Sequence, residues 1–280
     1  MFQPLTRLLS LALSTLLALS TLTGVVEEPQ VEPLYSAEEQ AFLDTLATFE
    51  HYDASREARY LAYLGSEEWT AQQVLRIVNT DNDLARFDDA VPAEVSDGVL
   101  MLVNKYHRLE KDYVPDGLVD VEPLYSASGG QLTAEASAAF SSLVEALWAE
   151  EGLHLVNASP YRSYSTQKRL YQRYCTRDGQ TKADRYSARP GYSEHQTGLS
   201  LDVTAPGGTL GSFRKTAQFR WMKDNAHRFG FILRYGEGME YLTGYQYEPW
   251  HYRYVGVEAA TVIYENELTF EEYYAYYVAK

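Results

Sequence analysis

Two histidines and two acids carry the most chemistry in this chain. His195 and Asp202 lie seven residues apart in PGYSEHQTGLSLDV (Pro190–Val203), and Glu248 and His251 lie three apart in YEPWHYR (Tyr247–Arg253). Two imidazoles and a carboxylate from separate segments suit a catalytic zinc, with three protein ligands and a fourth place left for water. His195, Asp202 and His251 supply that set. Glu248 is then an unligated carboxyl beside the ion, placed to move a proton. Pro249 disfavours helical geometry at Glu248 and can interrupt a strand ladder, so Glu248 and His251 can converge on one point. On residue types alone other readings stand beside this one. His195 could be a hydrogen-bonded loop histidine, Glu248 a partner for Arg253, and Asp202 a turn cap with Thr204.

The elements that must hold these groups are legible as hydrophobic pattern. Leu199, Leu201 and Val203 alternate with Ser200 and Asp202, the period of a strand with one buried face. A carboxylate there is costly unless a cation meets it. Helical texture covers 37–52, 57–64 and 71–78, and Val99–Val103 reads as strand-like. A helix is predicted over 133–151, capped by Thr133 and stopped by Gly152, with Phe140, Leu143, Val144, Leu147 and Trp148 on one face. A short strand follows at 154–157 and a helix at 165–177. Residues 177–190 read as a polar loop over the site. A helix over 214–229 ends at Gly230, and 231–235 is a strand. After a Gly-rich turn (236–243) and the Glu248 segment comes 257–266, then a closing helix with Thr269 and Glu272 as a capping box. Helices and strands mix without regular alternation, which predicts an α+β fold. Its small, mostly antiparallel sheet carries the zinc site between flanking helices. The heptapeptide VEPLYSA occurs at Val31–Ala37 and at Val121–Ala127, each time as a lead-in to a helical segment.

Composition narrows the partners. Residues 1–159 carry 8 Lys/Arg against 26 Asp/Glu, and residues 160–280 carry 16 against 13, so no basic stripe exists for a nucleic-acid backbone. One arginine (Arg7) precedes the uncharged run Leu8–Leu22, the shape of a secretory signal and short for a spanning helix. The expected organisation is a signal peptide or N-terminal anchor (1–28), a helical N-terminal extension (29–96) and a catalytic domain (97–280). The protein is then extracytoplasmic, secreted or held at the envelope by its N-terminal segment. Cys175 is the single cysteine, which rules out an intramolecular disulfide, and it reads as a small buried hydrophobe.

The wording of the motifs is specific. Ser193-x-His195-x-x-Gly198-x-x-x-Asp202 with Glu248-x-Trp250-His251-x-Arg253 resembles the zinc D-alanyl-D-alanine carboxypeptidases of the VanY type. Those enzymes are related to the lysostaphin- and hedgehog-like zinc fold. Ser159–Tyr164 (SPYRSY), Arg189–His195, Phe229–Ile232 and Leu102–Tyr106 extend the likeness, which spans residues 97–280 and, more loosely, from about residue 60. Ser200 departs from it, since the family commonly has alanine there; serine is small enough to fit.

The resemblance implies one zinc ion on His195, Asp202 and His251, with Glu248 as general base and acid. Arg162 is implied to engage substrate near the scissile bond, where a guanidinium can hold a carboxylate or a developing oxyanion; its alternative is a surface ion pair. Ser193 either contacts substrate or fixes its loop, Trp250 either packs in the core or forms a substrate platform, and Tyr192 is a candidate for the cleft wall. The implied activity is removal of the terminal D-alanine from peptidoglycan stem peptides. An L,D-carboxypeptidase acting on tetrapeptide stems would share the same core, with specificity set in loops such as 176–189. A wall-binding module without turnover would not need Glu248.

Overall fold

The computed structural model describes residues 34–127 and 129–279. The expected signal segment and the first three residues of the first VEPLYSA copy lie outside them. Ala37–Lys280 form one compact unit. Three helices open it: α1 (Ala37–Leu46), α2 (Glu57–Leu61) and α3 (Ala71–Asn79). Thr70 starts α3 with a reciprocal capping box to Gln73, two orphan N–H groups satisfied by two side chains. Short paired strands follow, β1 (Val91–Pro92) with β2 (His107–Arg108) and β3 (Leu118–Asp120) with β4 (Gln131–Thr133). Then come α4 (Ala134–Glu151), β5 (Val156–Ser159), α5 (Tyr164–Asp178), α6 (Gln180–Ala183), β6 (Ser200–Thr204), α7 (Ala217–Asn225), β7 (Phe231–Leu233) and α8 (Glu240–Thr243). The chain closes with β8 (His251–Tyr254), α9 (Val257–Glu265) and α10 (Phe270–Tyr273).

The central sheet has the order β5-β6-β8-β7 and every pairing is antiparallel. Its back face rests on α4, where Phe140, Leu143, Val144 and Leu147 meet Leu201, Val203 and Phe231 in one core cluster. Each of these fully buried side chains is worth about 1.5–3 kcal/mol, and Leu143→Ala would cost roughly 2–5 kcal/mol. Thr133 caps α4 and Gly152 ends it in the left-handed region, as its sequence predicts. Trp148 does not join the core face. It is 53% exposed and stacks on His154 at 4.3 Å, because it follows Leu147 by one residue and is rotated to the edge of the apolar stripe.

Other elements also depart from their pattern. Val99–Val103 is not a strand. Gly98 (φ 59°) kinks a 3₁₀ turn over Val95–Leu100, and the carbonyls of Val99, inside that turn, and Met101, just after it, accept from the Arg253 guanidinium at 2.9 and 2.8 Å. The expected helix over 214–229 breaks at Thr216, whose hydroxyl caps α7 instead. Residues 177–190 hold the end of α5 and the short α6 as well as loop. β6 is buried on both faces, not one, because helices and loops cover its front. Cys175 is only half-buried. The second VEPLYSA copy forms a 3₁₀ turn at Pro123–Tyr125 that leads into β4, with α4 only after it.

Candidate active site

β6 and β8 set the geometry, because Asp202 and His251 are direct cross-strand partners. His195 arrives from the 3₁₀ turn Glu194–Thr197, which closes at Gly198 with φ +68°. A side chain at Gly198 would be strained by that φ and would press within 2.9 Å of Leu118, so the turn between ligand and strand requires glycine. Pro160 accepts a hydrogen bond from His195 Nδ1 at 2.9 Å, which turns Nε2 toward Asp202 Oδ1 at 3.5 Å. His251 is turned the other way. Its Nδ1 lies 3.1 Å from the same Asp202 oxygen and its Nε2 lies 3.2 Å from Glu194 Oε2. Glu248 enters on the turn before β8, where the His251 N–H bonds to the Glu248 carbonyl, and Pro249 lets both side chains reach one cavity.

The three groups fit a zinc ion. Their ligand atoms all lie within 4.8 Å of one another and all three residues are buried. A tetrahedron with bonds of about 2.0 Å has edges of about 3.3 Å, close to the 3.1 and 3.5 Å separations seen here. Burial works against the Asp202 charge, yet His195 and His251 hold its carboxyl well below the usual range. Burial likewise opposes charge on His251, but hydrogen bonds to Asp202 and Glu194 raise it to about 9. Both effects describe a site that attracts positive charge. Burial pushes the Glu248 carboxyl up to about 8, the shift expected of a group poised for proton transfer.

The surrounding cavity has a volume of about 500 Å³. Arg162, Ser193 and Trp250 line it, and Trp250 also packs against the core edge. Arg162 is not a surface ion pair. Gln167 (2.6 Å) and Ser159 (2.8 Å) hold its guanidinium, which lies 3.8 Å from Asp202. Tyr192 departs from its expected place. Its ring meets the edge of Phe87 at 5.1 Å and does not line the cavity, because the turn at Gly191 directs it to the N-terminal side. The alternative pairing of Glu248 with Arg253 is not formed, since Arg253 binds Glu194.

Glu194 is the main residue that sequence reasoning missed. It is fully buried, bonded to Arg234 at 2.7 Å and Arg253 at 3.1 Å, and Arg234 continues to Glu271 on α10. These cations outweigh the burial penalty and keep Glu194 ionised as the acceptor for His251. Its position next to His195 was the only available signal. Tyr245 was missed as well; it lines the cavity with its buried hydroxyl unpartnered.

A buried His–Asp–His triad at zinc spacing, with a nearby carboxyl and an open cavity, defines a zinc-dependent hydrolase. The family profile of VanY, D-alanyl-D-alanine carboxypeptidase, matches residues 129–257. YodJ of Bacillus subtilis (strain 168), a carboxypeptidase by assignment, is 39% identical over 200 residues, covering 69% of this chain and 73% of the relative. The LdcB LD-carboxypeptidase structure is similar with TM-score 0.62 and 38% identity, over 69% of this chain and 93% of that one. A Zn(II) complex of a mutant D,D-pentapeptidase VanY from a VanB-type vancomycin resistance cassette gives TM-score 0.55 and 33% identity, over 62% of this chain and 98% of that one. The chain belongs to the VanY family of D-alanyl-D-alanine carboxypeptidases and is a zinc peptidase.

Proposed function

We propose that this protein removes the terminal D-alanine from peptidoglycan stem peptides, with His195, Asp202 and His251 as ligands of one zinc ion. The observation that carries this reading is the convergence of that triad, Glu248 and Arg162 on one cavity. Zinc there supplies a Lewis acid that acidifies water and polarises the scissile carbonyl. Burial alone would keep Glu248 protonated at neutral pH, and a divalent charge on the neighbouring triad opposes that shift. Glu248 then takes the proton of the attacking water and delivers it to the leaving amine as the C–N bond breaks. Arg162, held by Gln167 and Ser159, faces the negative charge of the reacting carbonyl or of the terminal carboxylate. Ser193 and Trp250 shape the wall that receives the peptide.

A second reading concerns the bond cut. The likeness to the L,D-carboxypeptidase is higher in both identity and TM-score than that to the D,D-pentapeptidase, which favours tetrapeptide stems as alternative substrates. D-alanine release from pentapeptide and from tetrapeptide stems, with and without chelator, tests both. Chelator-sensitive release restored by zinc is expected. No release from either stem by protein holding one zinc would sink the peptidase reading and leave wall binding without turnover. The uncharged run Leu8–Leu22 after Arg7 supports export, with cleavage or retention of that segment as an envelope anchor. Sequencing the mature N-terminus from cell fractions tests this, and full-length protein confined to the cytoplasm would contradict it. Among the described residues no helix is long and apolar enough to cross a membrane.

A further inference from the structure

We propose that a second cavity, between the N-terminal helices and α8, is a saccharide subsite that holds the sugar end of the substrate whose peptide end enters the catalytic cleft. This rests on the stem-peptide reading above. The cavity measures about 390 Å³ and is lined by the rings of Tyr63, Trp69 and Tyr241, with Asn82, Arg86 and Glu240 among them. Trp69 and Tyr241 meet at 5.4 Å with a 32° tilt, and all three rings are half-buried, so part of each remains open. A sugar presents apolar C–H faces and polar edges, and it needs a wall of this kind: aromatic surface with a few fixed polar atoms. Asn82 supplies one. Its amide nitrogen is used by Thr80 at 2.8 Å, while its buried amide oxygen has no hydrogen-bond partner and can accept from a hydroxyl or an acetamido N–H. Glu240 is held bidentate by Arg185 at 2.8 and 2.9 Å, so its charge is matched, and Arg86 adds a cationic hydrogen-bond donor to the same wall.

The cage is held rigid before any ligand arrives. Trp69 immediately precedes the capping box of α3, and Arg76, one α3 turn further on, packs over Tyr241 and pairs with Glu272 of α10 at 2.6 Å. A preformed wall loses little entropy on binding. Neighbouring residues link the cavity to the cleft, because Glu240 in its wall pairs with Arg185. Arg185 borders a groove with Asp178 and Lys182, and those two residues also line the catalytic cavity. The sequence cleft, groove, aromatic cavity matches the order terminal D-alanine, stem, sugar. An extended stem covers about 3.3–3.6 Å per residue, long enough to follow a groove of this kind.

The zinc-loaded protein should be assayed on a free stem peptide and on the same peptide carrying the N-acetylated disaccharide of peptidoglycan. The expected result is a KM about tenfold lower for the sugar-linked substrate, with kcat unchanged within about twofold. Trp69→Ala should raise that KM to the free-peptide value and leave free-peptide turnover as it was. Tyr241→Ala serves as a second variant should the first lose its fold by circular dichroism. Equal KM for the two substrates in the wild type, or a sugar advantage that survives both substitutions, would overturn the subsite. The disaccharide without peptide, titrated by NMR, separates this idea from the peptidase reading. Shifts at Trp69 and Asn82 in protein that leaves free peptide uncut would support the sugar site and refute the peptide assignment.

Discussion

Replacing Glu194 with glutamine tests how the site is held. The carboxylate is 1% exposed and lies between two fully buried guanidinium groups, Arg234 at 2.7 Å and Arg253 at 3.1 Å, with His251 at 3.2 Å. Arg234, Arg253, Glu194 and Glu271 together are neutral, so glutamine leaves one buried positive charge uncompensated. Breaking a buried pair in this way costs about 3–5 kcal/mol. The lower end is expected, because Arg253 keeps three carbonyl partners (Val99, Met101 and Tyr254) and Arg234 keeps Glu271. A second effect is separate from stability. His251 loses the charged acceptor that fixes its Nε2–H and turns Nδ1 toward the metal, and zinc affinity should fall about 10–100-fold. Urea denaturation reads the first effect and chelator competition reads the second. The double variant Glu194→Gln/Arg253→Met restores charge balance, so it should recover part of the stability and none of the zinc affinity. Wild-type stability together with wild-type zinc affinity in Glu194→Gln would refute the reasoning. Recovery of zinc affinity in the double variant would show that charge, not orientation, was at stake.

Other outcomes follow from the same geometry. Glu248→Gln should keep one zinc per chain and lose hydrolysis by about 10²–10⁴-fold; loss of zinc in that variant would make Glu248 a ligand. His251→Ala should abolish the rise in Tm that zinc confers, because that rise measures binding to the folded state alone. His251 is raised to about 9, so protons compete with the metal below that pH, and zinc affinity should weaken about tenfold per pH unit on acidification. A zinc affinity constant between pH 6 and 9 would contradict this. Lys105 is buried against the Asp184 and Gly244 carbonyls, and burial lowers it from 10.5 to about 8. Below about pH 8 the folded state carries the strained charge. Between the folded and unfolded values only the unfolded chain holds the proton, so stability should rise with pH across that window by up to roughly 3 kcal/mol. Lys105→Met should flatten that slope, and an unaltered slope would assign it to another group.

The chemistry of this protein was largely legible in its sequence. Zinc ligands and proton shuttles come from a short list of residue types that includes His, Asp and Glu, and Gly198 and Pro249 mark the turns that aim them. Helix limits set by local bonds were legible for the same reason, as with Thr133, Gly152 and the Thr269–Glu272 box. What the sequence could not show were relations between distant segments. Arg253 was visible as a residue of its motif, but its partner depends on β6 and β8 pairing so that Ser200 faces Arg253 and Glu194 falls between two arginines. Trp148 carried the right residue type and sat one position off the face that packs. Val99–Val103 had the composition of a strand, yet the Val99 and Met101 carbonyls went to a guanidinium brought from residue 253. Local types and spacings determine which groups can react and where the backbone turns. Register, burial on both faces of β6 and the choice of partner for each buried charge are settled only when segments far apart in the chain compete for the same space, and that competition exists only in the folded molecule.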